Sequence, residues 1–154
     1  MAEGTSATPV LSLLGLDYGL RRIGVATGQA ITRTATELRM IPSPAGFSDD
    51  DEGWRALDVL MAEWRPDALV VGMPYHLDGT RIAMTAAAER FAQALEARYN
   101  KPVYRIDERL TSAEAAAEIA TGRAAGTRRR QVKGDVDKLS ARIILQTWFN
   151  QQSG

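Results

Sequence analysis

Cysteine is absent from the 154 residues of this chain, and histidine occurs once, at position 76. The first absence excludes disulfides and thiolate metal sites, and the second excludes His-rich zinc sites. Carboxylates are then the only plentiful metal ligands, and they favour hard cations. Long apolar runs are missing too, since none approaches the roughly 20 residues that span a bilayer. Residues 1–10 (MAEGTSATPV) hold an acid and no basic run, so they read as a flexible N-terminus and not as a signal peptide. A cytoplasmic protein with no membrane partner is expected. An excess of charge of one sign is also lacking: 19 basic and 19 acidic side chains give a formal net charge of zero. That balance argues against a tight, purely electrostatic polyanion binder.

What remains has the make-up of an ordinary globular chain, with 45% hydrophobic and 25% charged residues. Its length fits one domain, 1–154, with a core large enough to stand without staples. The charges are unevenly placed. Asp49-Asp50-Asp51-Glu52 is an acidic run that reads as a solvated helix start, whereas residues 121–134 (TGRAAGTRRRQVKG) carry Arg123, Arg128, Arg129, Arg130 and Lys133 with no acid among them. Three glycines and no large apolar side chain beyond Val132 predict a mobile basic loop over 122–134. Such a loop either stays a solvated segment or meets a phosphate backbone locally.

Periodicity supplies the elements. Residues 11–17 (LSLLGLD) form a nearly continuous apolar run, the pattern of a strand buried on both faces. Tyr18-Gly19-Leu20-Arg21 interrupts it, and Arg22–Gly28 resumes with Ile23 and Val25 alternating, which predicts an antiparallel hairpin. A third strand is expected over 34–41, ended by Pro42-Ser43-Pro44. Over 51–64 the period changes: Trp54, Leu57, Leu60, Met61 and Trp64 mark an amphipathic helix stopped by Pro66. A short buried strand follows at 67–73, then a helix over 81–99 with Met84, Ala88, Phe91, Leu95 and Tyr99 on one face. A strand at 103–106, an alanine-rich helix from Thr111 to about Gly122 and a last helix over about 135–150 complete the chain. A meander of three strands followed by helix-linked strands predicts a mixed α/β sheet with helices on both faces.

Three groups of acids occupy unusual places in this pattern. Asp17 ends the most hydrophobic strand between Gly15 and Gly19. An ionised carboxylate there loses hydration unless a cation or donors replace it, although an Asx-type turn would also place an aspartate at this point. In the last helix the stripe Ala141, Ile144, Trp148, projected back one turn, lands on Asp137. Asp137 could be an N-cap, but Asp135 after Gly134 suits that role better. Asp107-Glu108 stands where a strand gives way to a helix that Thr111 and Glu114 already cap. That pair is either first-turn acid or a leftover at the carboxyl end of a strand, where α/β sheets place their sites. Three such acids can hold one or two Mg2+ or Mn2+ ions. Two ions about 4 Å apart stabilise the attacking and leaving oxygens in phosphodiester hydrolysis.

Leu14-Gly15-Leu16-Asp17-Tyr18-Gly19 with Arg22-Ile23-Gly24-Val25-Ala26 resembles the opening strand pair of the YqgF family, proposed pre-16S ribosomal RNA nucleases also described as Holliday-junction resolvase-like. Val70-Val71-Gly72-Met73-Pro74 with Leu77-Asp78-Gly79-Thr80 is similar to its second block, Asp107-Glu108-Arg109-Leu110-Thr111 to its third, and Val136-Asp137 with Ala141 and Ile144-Leu145 to its fourth. The blocks occur in order over residues 13–149. The resemblance implies a ribonuclease H-like fold with five strands, three antiparallel and then two parallel, and a role in maturing the 5′ end of small-subunit ribosomal RNA. It implies Asp17, Glu108 or Asp107, and Asp137 as the active-site acids, with Arg22, Arg109 and Thr111 near phosphate beside the basic loop. Two departures stand out. His76 replaces the asparagine usual in the second block and reads as a loop residue. Other junction resolvases place an acid near position 72, where this chain has glycine, so the neighbouring strand must supply Asp107 or Glu108.

The expected partner is structured RNA such as pre-rRNA, or branched DNA, bound by a monomer or weak homodimer. The alternatives are a Holliday-junction resolvase acting on branched DNA, and a non-catalytic nucleic-acid-binding factor for ribosome assembly or transcription. An inward Asp137 speaks against the non-catalytic reading, because a buried acid without a cation costs stability. Gly-Leu-Asp-Tyr-Gly also resembles the phosphate loop of actin-like and sugar-kinase ATPases. Those proteins close two domains on a nucleotide, and 154 residues provide one.

Overall fold

The computed structural model describes residues 10–44, 51–75, 78–108 and 133–152, with the side chains of the last helix described from Ala141 onward. Its elements in chain order are β1 (Ser12–Asp17), β2 (Arg22–Gln29), β3 (Thr34–Pro42), α1 (Glu52–Trp64), β4 (Ala68–Met73), α2 (Ala83–Tyr99), β5 (Val103–Asp107) and α3 (Lys133–Gln151). The expected helix over 111–122 and the basic loop as far as residue 132 lie outside the described residues, as does His76; Lys133 and Gly134, expected in that loop, instead open α3.

The sheet has five strands in the order β3-β2-β1-β4-β5. β1 pairs antiparallel with β2 and β2 antiparallel with β3, while β1–β4 and β4–β5 are parallel. This is the mixed sheet that the strand pattern implies. β1 is central and β4 is flanked on both sides, and both are apolar on both faces for that reason.

Strand alternation sorts side chains between two cores. Leu14 and Leu16 of β1, with Leu69, Val71 and Met73 of β4, pack against Trp54, Leu57 and Leu60 of α1 and Ala88, Phe91 and Leu95 of α2. Leu13 of β1, Val70 of β4 and Ile106 of β5 face the other way, against Ala141, Ile144, Leu145 and Phe149 of α3. Helices therefore cover both faces. The face under α3 is the one that matters for the site.

Local chemistry explains the element ends. Asp51 caps α1, its Oδ1 accepting from the Gly53 and Trp54 amides at 2.8 and 3.3 Å. Arg65, left-handed at φ 46°, ends that helix, and Trp64 lies 38% exposed and outside the stripe into which periodicity places it. α2 begins two residues later than the apolar period implies, because Tyr75 and Arg81 form an antiparallel bridge that holds the chain extended. Its first buried position is Thr85, not Met84. The Thr85 hydroxyl donates to the Pro74 carbonyl and accepts from the Ile82 amide at 3.0 Å, which ties the helix start to the end of β4.

Two glycines set how closely α3 approaches. A Cβ on Gly15 would lie 2.5 Å from Leu145 Cγ and 3.1 Å from the Ala141 carbonyl, so the backbone of α3 rests almost directly on β1. A Cβ on Gly28 would meet the Phe149 ring at 2.9 Å. Gly28 lies opposite Leu13 in the ladder. Moving from Phe149 back to Ala141 thus moves along β1 from Leu13 to Gly15, toward Asp17.

Candidate active site

The carboxyl ends of β1, β4 and β5 lie side by side, as parallel pairing requires, and carry Asp17, Gly72-Met73 and Asp107-Glu108. Asp17 follows Leu13 and Gly15 on the face under α3. Its ladder partner on β2 is Gly24, which leaves space opposite the carboxylate.

Parity separates the two acids of β5. Arg105 points to α2, where its guanidinium donates to Glu89 at 3.0 and 3.1 Å and to Glu96 at 2.8 Å. Ile106 points to α3. Asp107 alternates to the Arg105 side, and Glu108 returns to the α3 side. The Glu108 amide extends the ladder by donating to the Met73 carbonyl at 2.9 Å. The Arg105 ion pairs brace this strand against α2 just before the acids.

The Glu108 side chain turns back across β4. Its Oε2 lies 2.7 Å and its Cγ 2.9 Å from where a Gly72 Cβ would stand. Glycine at 72 therefore does more than fail to ligate: it leaves the floor on which the Glu108 carboxyl rests. From that position Glu108 shares a hydrogen bond with Asp17, which requires one proton between the two carboxyl groups. Burial pushes the Glu108 carboxyl above the ordinary glutamate range, the bond with Asp17 pulls it down, and the nearby charge of Asp107 raises it further. Two acids from distant segments, β1 and the end of β5, are thus brought into contact.

Asp137 lies in α3, one turn before Ala141, and its side chain is outside the described residues. The direction of α3 over β1 carries that turn toward the Asp17 end of the strand, since one helical turn and two strand residues both advance about 6 Å. Arg109, Thr111, Arg128, Arg129 and Arg130, and the side chain of Lys133 at the start of α3, also lie outside the described residues. Among the described residues no three acids or histidines are grouped to hold a metal ion.

Beside Asp17 opens a cleft of about 700 Å³, lined by Asp17, Tyr18, Gly19, Leu20, Arg21, Arg22 and Met84. Arg22, expected near phosphate, is exposed on this cleft. Tyr18, Leu20, Arg21 and Met84 were not legible as site residues. The one signal for the first three is that Tyr18–Arg21 interrupts two buried strands.

Residues 11–151 match the family described as RuvX, Holliday junction resolvase. A protein of Azotobacter vinelandii, provisionally named pre-16S rRNA nuclease, is 46% identical over 141 residues, covering 91% of this chain and 94% of its own. The chain belongs to the RuvX family. A second relative with the same provisional name, from Pseudomonas putida, is 46% identical over 138 residues, 89% of this chain and 93% of that one. Among solved structures, Thermus thermophilus RuvC in complex with a Holliday junction substrate superposes with a TM-score of 0.57 at 18% identity, over 94% of this chain and 96% of that chain. The yeast mitochondrial Holliday junction resolvase Ydc2 gives 0.53 at 10% identity, over 97% and 82%. These likenesses establish the ribonuclease H-like fold of this RuvX-family chain. No helix among the described residues is long and apolar enough to cross a membrane.

Proposed function

We propose that this RuvX-family nuclease hydrolyses phosphodiester bonds at a divalent-cation site formed by Asp17, Glu108 and Asp137, and that its substrate is the 5′ precursor region of 16S ribosomal RNA, processed in the cytoplasm. The observation that carries the reading is the contact between Asp17 and Glu108 over Gly72. Two carboxyl groups forced into one hydrogen bond, one of them desolvated, make a site whose proton is readily exchanged for a cation. The donor set fits Mg2+ or Mn2+, which take carboxylate oxygen and need neither thiolate nor imidazole. Asp137, on the turn of α3 that advances toward Asp17, completes the set. Glu108 is favoured over Asp107 as the β5 ligand because Asp107 alternates toward α2.

A divalent cation bound there supplies Lewis-acid stabilisation of the phosphate and an acidified water. The chain's own contribution is to fix Asp17 on a rigid central strand and to seat Glu108 through the Gly72 gap and the Arg105 brace. Arg21 and Arg22 place positive charge along the adjoining cleft, where a phosphate backbone runs past the acids. Arg109, Thr111, Arg128, Arg129, Arg130 and Lys133 extend that contact.

The substrate assignment follows the names of the relatives at 46% identity. The test is cleavage of a 16S precursor carrying its 5′ leader, beside a four-way DNA junction, with Mg2+ or Mn2+. Asp17→Asn, Glu108→Gln and Asp137→Asn are each expected to lose at least about 100-fold in rate, the scale of several kcal/mol of cation-dependent stabilisation. Wild-type rates in all three variants would end the reading. Cleavage of the junction with the leader left intact would move the substrate to branched DNA.

A further inference from the structure

The turn joining β1 to β2 presents an exposed apolar side chain. Leu20, at its apex, is 74% exposed, although the residues around it are firmly held. Tyr18 packs its ring on Phe91, with centroids 4.9 Å apart. Gly19 lies so close to the returning strand that a Cβ there would stand 2.7 Å from the Arg22 carbonyl. The Arg21 carbonyl accepts from the Ser43 amide at 2.9 Å. A single exposed leucine is common on protein surfaces and by itself means little. Here it is held out on a braced turn, followed directly by the exposed Arg21 and Arg22, and it lines the same cleft as Asp17.

We propose that Leu20 is a wedge that stacks against a base step next to the phosphodiester presented to Asp17, with Arg21 and Arg22 holding the flanking phosphates. Three residues of chain span at most about 10 Å. Successive phosphates on one strand of a duplex are about 3.4 Å apart along its axis. The wedge therefore acts within about three nucleotides of the cut. An apolar side chain between cationic neighbours has the chemistry of residues that unstack a base step while the backbone is held. The cations bind any backbone, and the leucine rewards a step that opens readily, such as one beside a branch, bulge or helix end. Leu20 is in this sense a specificity-determining residue for structured nucleic acid, and the inference rests on the nuclease reading of the neighbouring acids.

The test uses the full chain in EDTA, so that binding is read without cleavage, with two probes: an RNA stem-loop and a four-way DNA junction. Each carries 2-aminopurine beside its helix end or branch. Saturating wild-type protein is expected to raise the fluorescence at least twofold, and Leu20→Met to keep that rise. Leu20→Ser is expected to abolish it while changing Kd by less than about fivefold and leaving the melting temperature unaltered. Arg21→Ala is expected to weaken binding and lower its salt dependence, with the rise intact at saturation. No rise with wild type on either probe, or an equal rise with Leu20→Ser, overturns the wedge. A rise on one probe alone identifies which nucleic acid the wedge opens. Asp17→Asn separates the two ideas: it should keep the fluorescence rise and lose cleavage in Mg2+. If it cleaves normally, the acid assignment fails while the wedge stands on its own measurement.

Discussion

Replacing Gly72 with alanine tests the arrangement of the site most directly. The new methyl would stand 2.5 Å from Ile144 Cδ1 and 2.7 Å from Glu108 Oε2, against about 3.4 Å or more for ordinary contact. Ile144 is fully buried in the core under α3 and cannot retreat without disturbing its neighbours. The Glu108 carboxyl, the far end of a flexible side chain, is the group that yields, so it should swing off β4 and away from Asp17. Overpacking of this kind costs about 1–3 kcal/mol. Displacing a ligand from its support typically costs about 10–100-fold in metal affinity, or roughly 1.4–2.7 kcal/mol. Urea denaturation with and without Mn2+ measures both quantities. The Gly72→Ala protein should be less stable than wild type in EDTA, and Mn2+ should restore little of the difference. A double-mutant cycle sharpens the test. In a Glu108→Ala background only the Ile144 contact remains, so the two substitutions should couple by about 0.5–3 kcal/mol, the range found for touching residues. Wild-type metal response in Gly72→Ala, or additive costs in the double variant, would refute the claim that glycine at this position exists to seat Glu108.

Two further outcomes are expected. Because burial raises the Glu108 carboxyl above its ordinary value of 4.5, the folded state keeps a proton that the unfolded chain has lost. Its contribution is therefore full below that ordinary value and is lost as pH rises through the folded value. Without metal, Glu108→Gln should be more stable than wild type at pH 7–8 and converge with it toward pH 4; thermal melts across that range in EDTA check the sign, and a wild type more stable at neutral pH would contradict it. Asp51→Ala removes the bonds that its side chain accepts from the Gly53 and Trp54 amides at the start of α1 and should cost about 0.5–2 kcal/mol in chemical denaturation.

Much of the architecture is a direct consequence of local pattern. β4 throughout, and β1 between Ser12 and Asp17, are apolar because neighbouring strands and helices enclose them, and such runs are readable in one dimension. The helical periods of α1 and α2 come from facing one side of a sheet, and they read equally well. The misplacements occur where a local rule competes with a tertiary one. Met84 suits the apolar period of α2, but the Tyr75–Arg81 bridge delays the helix, so Thr85 is buried and Met84 turns to the cleft. Trp64 fits the stripe of α1, yet the left-handed Arg65 ends the helix before that residue is covered.

At the site the division follows the same logic. The unusual standing of Asp17 and of Asp107-Glu108 was visible in the sequence, because an acid that ends a buried strand conflicts with its local pattern; position 137 stood out only as an extension of the apolar spacing of the last helix. Which β5 acid meets Asp17 depended on the pairing of β5 with β4 and on the direction Arg105 takes, neither of which is a property of the Asp107-Glu108 dipeptide. The role of Gly72 was hidden for a similar reason. An absent side chain has meaning only through what fills its space, and here that is a carboxyl group from 36 positions further along the chain. Sequence by itself determined the strands, the helices and the pool of acids, since these depend on burial and spacing along one segment. Only the tertiary structure decided which acids touch and what exposes Leu20 beside them, because contact between distant segments is set by sheet register and helix approach.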